Sequence, residues 1–71
     1  MKTVRCDVWY GEGVMAAEMS DIKEMKSIMR KLRKEGKQSI RAYVDYDNGK
    51  RFYYSFNKSG KIYKEGNNFD N

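Results

Sequence analysis

The chain contains no histidine, no proline and a single cysteine, Cys6. Each of these absences narrows what the protein can do. Without histidine, the commonest general base is missing. One cysteine excludes an internal disulfide framework and any multi-cysteine zinc site. No metal and no cofactor is therefore expected. No apolar run approaches the length of a membrane span and no signal segment is visible, so a cytoplasmic location without a membrane partner is expected. Met1-Lys2 lacks the glycine that myristoylation needs, and Phe69-Asp70-Asn71 lacks a prenylation cysteine. The lack of proline and histidine, with abundant Lys, Asn, Tyr and Met, is the composition of an AT-rich bacterial or phage genome.

What is present fits one small domain. Seventy-one residues bury one thin core between two layers and leave no room for a second domain. Residues 1–65 are expected to form that domain, and 66–71 a loose tail. The net charge is +5, and its distribution says more than its sum. Segment 21–37 carries seven basic and three acidic residues, and segment 38–64 carries six and two. The positive field thus comes from the middle of the chain. It favours nucleic acid, an anionic membrane or an acidic protein patch, against the simpler role of keeping a small protein soluble.

Thr3 to Tyr10 alternates with Val4, Cys6, Val8 and Tyr10 on one face, which reads as a strand ending in a turn at Gly11-Glu12-Gly13. Val14 to Met19 fits a returning strand or a backward extension of the next helix. A two-residue Glu12-Gly13 turn would set Met15, Ala17 and Met19 beside Tyr10, Val8 and Cys6 on the core face. The strand is favoured because Ser20 and Asp21 look like a helix start, with Asp21 and Glu24 at capping-box spacing. From there to Glu35, at about 100° per residue, Ile22, Met25, Ile28, Met29 and Leu32 gather on one arc. Lys23, Lys26, Arg30, Lys31, Arg33 and Lys34 gather on the other. Gly36 is the expected C′ residue.

Two hairpins complete the chain. Asp47-Asn48-Gly49 suits a three-residue loop closed by a left-handed glycine. That register pairs Val44 with Phe52, Ala42 with Tyr54 and Ile40 with Phe56 on the apolar face. On the other face it pairs Asp45 with Arg51, Tyr43 with Tyr53 and Arg41 with Ser55. A two-residue Asn-Gly turn would set Val44 against Tyr53, so the longer loop is favoured. Lys58-Ser59-Gly60 repeats the device and sets Phe56 opposite Ile62 and Ser55 opposite Tyr63. The expected fold is α+β: an antiparallel sheet of four to five strands in the order ββαβββ, with one amphipathic helix across one face.

The second sheet face is then open. It should carry Arg41, Tyr43, Asp45, Arg51, Tyr53, Ser55, Lys61 and Tyr63, with Trp9 nearby. Tyr43, Tyr53 and Tyr63 interleaved with Arg41, Arg51 and Lys61 would make a stacking platform for unpaired bases, with Arg30 and Lys34 of the helix adding phosphate contacts. Cross-strand tyrosine pairs also stabilise sheets with no partner at all. Against entry into a duplex groove, the helix has no asparagine, and Gln38 lies only beyond its end. The glycines of 11–13 and of Ser59-Gly60-Lys61 match no phosphate-binding fingerprint.

Catalysis finds little support: Cys6 alternates with core residues, the carboxylates are scattered, and a histidine-free ribonuclease is only a residual possibility. The function expected is a non-catalytic basic module for nucleic acid, single-stranded by preference. The alternative is a protein-binding modulator acting on an acidic surface, with self-association through the tyrosine face a third possibility.

Overall fold

In the computed structural model, which describes residues 2–67, the expected order ββαβββ is found. The elements are β1 (Thr3–Tyr10), β2 (Val14–Met19), α1 (Ile22–Lys34), β3 (Arg41–Tyr46), β4 (Arg51–Phe56) and β5 (Ile62–Asn67). The five strands form one antiparallel sheet in the order β2-β1-β3-β4-β5. Gly66 and Asn67, assigned above to a loose tail, pair with Tyr53 and Phe52 as the end of β5. The rest of that tail, 68–71, lies outside the described residues.

The two C-terminal turns use the same chemistry. Gly49 donates its amide to the Tyr46 carbonyl at 3.0 Å, and Tyr46 donates to Lys50 at 2.9 Å. One hairpin later, Gly60 donates to Asn57 at 3.0 Å and Asn57 to Lys61 at 2.8 Å. Both glycines are left-handed, with φ of 86° and 83°, as a three-residue loop of this kind requires. The β3–β4 register is the one expected, from Arg41 with Ser55 to Asp45 with Arg51. Ile40 is buried just before β3 begins. The β4–β5 pairs Phe56–Ile62 and Ser55–Tyr63 also match; beyond Tyr54 the register shifts, and Glu65 is passed over.

The first hairpin differs from expectation in two respects, the length of its turn, expected as the two residues Glu12-Gly13, and the place of Met15. Tyr10 pairs with Val14 across a three-residue turn, and a register shift between Val8 and Trp9 passes over Ala16. The bulge restores the parity of Ala17 and Met19, which lie opposite Val8 and Cys6 as expected. Met15, however, lies opposite Trp9 rather than Tyr10, and is 56% exposed rather than in the core.

The helix begins and ends on its own signals. The Asp21 side chain accepts from the Glu24 amide at 3.2 Å, the N-cap contact that the spacing predicts. At the other end, Lys37 donates to the Leu32 carbonyl and Gly36 to the Arg33 carbonyl, each at 3.0 Å. That pair of bonds is a Schellman motif with Gly36 at C′. Met25, Met29 and Leu32 face the sheet and are buried with Cys6, Val8, Ile40, Ala42, Val44 and Tyr54. The helix lies over β1, β2 and β3. The inner face of β4 and β5 is therefore left at its flank, and that offset opens a groove there.

Candidate functional site

The sheet face away from the helix is a closed electrostatic network. Asp7 stands on that face, opposite Tyr43 and Glu18, yet it is wholly buried. Its carboxylate accepts from the Arg5 Nε at 3.0 Å and from the Tyr43 hydroxyl. That bond, followed by burial, raises the pKa of the Tyr43 phenol. Arg5 also meets Glu18 at 3.0 Å. Arg51 holds Asp45 through both Nε at 2.6 Å and Nη2 at 3.0 Å, and its guanidinium lies 3.7 Å from the centroid of the Tyr43 ring. The hydrogen bond to Asp45 is the main cause holding Arg51 further in its charged form. Trp9 and Tyr53 meet the Tyr43 ring edge-on, with centroids at 5.2 and 6.1 Å.

Two consequences follow for the stacking platform. Tyr43 and Arg51 already have partners within the protein. The face also lacks the positive field: three guanidiniums, Arg5, Arg41 and Arg51, stand among four carboxylates, Asp7, Glu18, Asp45 and Glu65. Glu65 accepts from the Ser55 hydroxyl at 2.7 Å. Tyr63, opposite Ser55, remains 43% exposed, and Arg41 is exposed with its guanidinium 5.9 Å from the Trp9 ring centroid.

The cations gather elsewhere. Between α1 and the β4–β5 turn runs an open groove of about 720 Å³ whose walls include Lys26, Arg30, Arg33, Lys34 and Lys61 over a floor of Phe56 and Ile62. Among the described residues no carboxylate lines it, and none of these five cations is in an ion pair. Arg33 lies over the Phe56 ring at 5.2 Å and Lys26 over Tyr54 at 5.8 Å. The charged groups of Lys26 and Arg33 thus lie against aromatic rings that the offset helix leaves at its flank.

Arg30, Lys34 and Lys61 are therefore brought together, away from Arg41, Tyr43, Arg51, Tyr53 and Tyr63. Lys61 was expected on the open face. It falls in the turn before the pleat begins at Ile62, so strand alternation does not set its direction. The partnership of Lys26 and Arg33 with them was readable in part. Lys26, Arg30, Arg33 and Lys37 recur at helical spacings of four, three and four. What that stripe faces across the groove depends on where the helix sits on the sheet.

A second depression of about 540 Å³ opens at the C-terminal end of the helix. It is lined by Arg33, Lys37, Gln38, Ser39, Arg41 and Phe56, among others. Arg33 and Phe56 are common to both.

Cys6 is buried, and burial first, then nearby carboxylates, push its thiol up to about 11. Among the described residues, no three potential ligands converge for a metal ion, and no helix is long and apolar enough to cross a membrane. Comparison of the chain with protein-family models, with curated proteins and with solved structures finds no match in any of the three.

Proposed function

We propose that this protein is a non-catalytic binding module for nucleic acid, and that its contact surface is the groove between α1 and the β4–β5 turn. The observation that carries the reading is the unpaired state of Lys26, Arg30, Arg33, Lys34 and Lys61 around one groove. Like charges collected without counter-charges repel one another, and a polyanion relieves that repulsion while releasing its own counterions. Lys26 and Arg33, whose charged groups are held over the rings of Tyr54 and Phe56, are also partly ordered before binding, which lowers the entropy lost on contact.

The test is a fluorescence-anisotropy titration with single-stranded RNA, single-stranded DNA and duplex DNA, at low and near-physiological salt. The double variant Arg30→Glu/Lys34→Glu loses most of the affinity for all of them, because both residues are exposed and lie in the groove. The double variant Arg51→Ala/Tyr53→Ala changes affinity little. Equal affinity for wild type and groove variant would sink the reading.

A second reading is favoured by one observation of its own. The open sheet face combines Trp9, Tyr53, Tyr63 and Arg41 with balanced charge, the composition of a protein-docking surface rather than of a polyanion site. Its function would be to modulate a protein partner. A stoichiometric partner retained after nuclease treatment by wild type and by the groove variant, and released by Tyr63→Ala/Arg41→Ala, would establish it.

A further inference from the structure

The two depressions at the flank and the end of the helix share Arg33 and Phe56, and between them the cationic lining turns a corner. Arg30 and Lys34 belong to the helix that covers one face of the sheet. Arg41 pairs with Trp9 and Ser55 in the register of the opposite face. Yet Arg33 and Arg41 line one depression together with Lys37. Lys26, Arg30, Lys34 and Lys61 therefore lead through Arg33 to Lys37 and Arg41, round the C-terminal end of the helix and onto the edge of the open face.

From this path we infer, resting on the reading of the groove as a nucleic-acid site, that the ligand is a single strand bent around the helix end, with one base seated in the end depression against Gln38 and Ser39. A duplex stays straight over the length of so small a domain, its persistence length being about 50 nm, and it reaches the groove without following the turn. A single strand has no such stiffness, and its unpaired bases expose hydrogen-bonding edges. The end depression supplies matching chemistry. Gln38 and Ser39 are uncharged donor–acceptor side chains set among Arg33, Lys37 and Arg41, the arrangement of a base reader between phosphate contacts. Among the described residues neither side chain makes a hydrogen bond. Their backbone is fixed all the same: the Gln38 carbonyl accepts from the Gly11 amide at 2.7 Å, and Lys37 is tied to Leu32 by the helix cap. At about 540 Å³ the depression lies in the size range of small-ligand sites, about 300–1,000 Å³.

The experiment compares two double variants by fluorescence anisotropy on oligothymidylate of about 4 and about 12 nucleotides, a short and a longer length within typical single-strand site sizes, and on a short DNA duplex. Arg30→Glu/Lys34→Glu alters the groove and Lys37→Glu/Arg41→Glu alters the end depression. The expected result is that the groove variant weakens binding to all three probes. The end variant weakens the longer strand by about tenfold or more at low salt, through lost phosphate contacts, and leaves the duplex within about twofold. Gln38→Ala then alters the order of preference among oligo-dA, oligo-dC and oligo-dT without altering the salt dependence. If the end variant lowers strand and duplex affinity equally, or leaves the longer strand unaffected, the bent path is wrong while the groove reading stands. If the groove variant binds every probe as well as wild type, the groove reading itself has failed and the bent path falls with it.

Discussion

The Tyr43 hydroxyl donates to the carboxylate of Asp7, a side chain that is fully buried although it stands on the face of the sheet away from the helix. Removing that hydroxyl leaves Asp7 with Arg5 as its one remaining side-chain donor, and an under-satisfied buried carboxylate is costly. Tyr43→Phe should therefore lower the free energy of unfolding by about 1–3 kcal/mol in urea denaturation. It should leave nucleic-acid affinity at the wild-type value under conditions where both proteins are folded. A variant of unchanged stability but reduced affinity would return Tyr43 to the role of a stacking platform.

That pair also marks where legibility in the sequence ends. Turn chemistry and strand alternation are local, so Asp47-Asn48-Gly49 and Lys58-Ser59-Gly60, weighed against the facing of their flanking residues, set the pairing next to both turns, and Asp21 and Gly36 were enough to bound the helix. Parity along a strand says which side a residue faces, and it placed Tyr43, Arg51 and Tyr53 correctly. It does not say what else converges there. Asp7 is distant in sequence from Tyr43, and the charge balance of the open face depends on β1 lying between β2 and β3. The groove was hidden for a related reason: it exists because α1 is offset over β1–β3, a packing outcome with no local signature. Met15 was misplaced by a bulge that no residue in 14–19 announces.

Alkaline pH should destabilise the protein in a window set by Cys6 and Tyr54. Burial raises the Cys6 thiol from 9.0 to about 11 and the Tyr54 phenol from 10.0 to about 12. In both cases the folded state holds its proton more tightly than the unfolded chain. The resulting stability is present in full below the unfolded pKa and is lost as pH rises through the folded one. The midpoint of urea unfolding should fall steadily between about pH 9 and 12. In Cys6→Val, which removes one of the two groups, the fall should be smaller between about pH 9 and 11. A midpoint independent of pH over this interval would show that neither proton is retained by folding.

Ser39 holds a left-handed backbone, with φ of 55°, and is the non-glycine residue that does so among those described. For an L residue that conformation costs about 1–2 kcal/mol, partly offset in a glycine variant by the greater freedom of its unfolded chain. Ser39→Gly should accordingly raise stability by about 0.5–1 kcal/mol in thermal or urea unfolding. The Ser39 hydroxyl stands in an exposed loop and lines the end depression with Lys37 and Arg41. The same substitution should therefore blunt base preference in the anisotropy assay while stabilising the fold. A destabilised Ser39→Gly would mean that the hydroxyl supports the loop rather than a ligand.

Salt dependence separates the groove from the open face. A cation already paired in the folded protein displaces few counterions when it meets phosphate, whereas an unpaired one contributes in full. Five cations that form no ion pair among the described residues line the groove. With a single strand that engages all five, the slope of log K against log salt concentration should be about −3 to −4, at about 0.7 per contact. Lys26→Ala and Arg30→Ala should each make the slope less steep by about 0.7. Arg51→Ala should leave it unchanged, because the Arg51 guanidinium is already bonded to Asp45 at 2.6 and 3.0 Å. The measurement is a set of equilibrium titrations across salt concentrations for wild type and each variant. If Arg51→Ala reduced the slope while Lys26→Ala and Arg30→Ala did not, phosphate would be contacting the open sheet face, and the contact surface would move there.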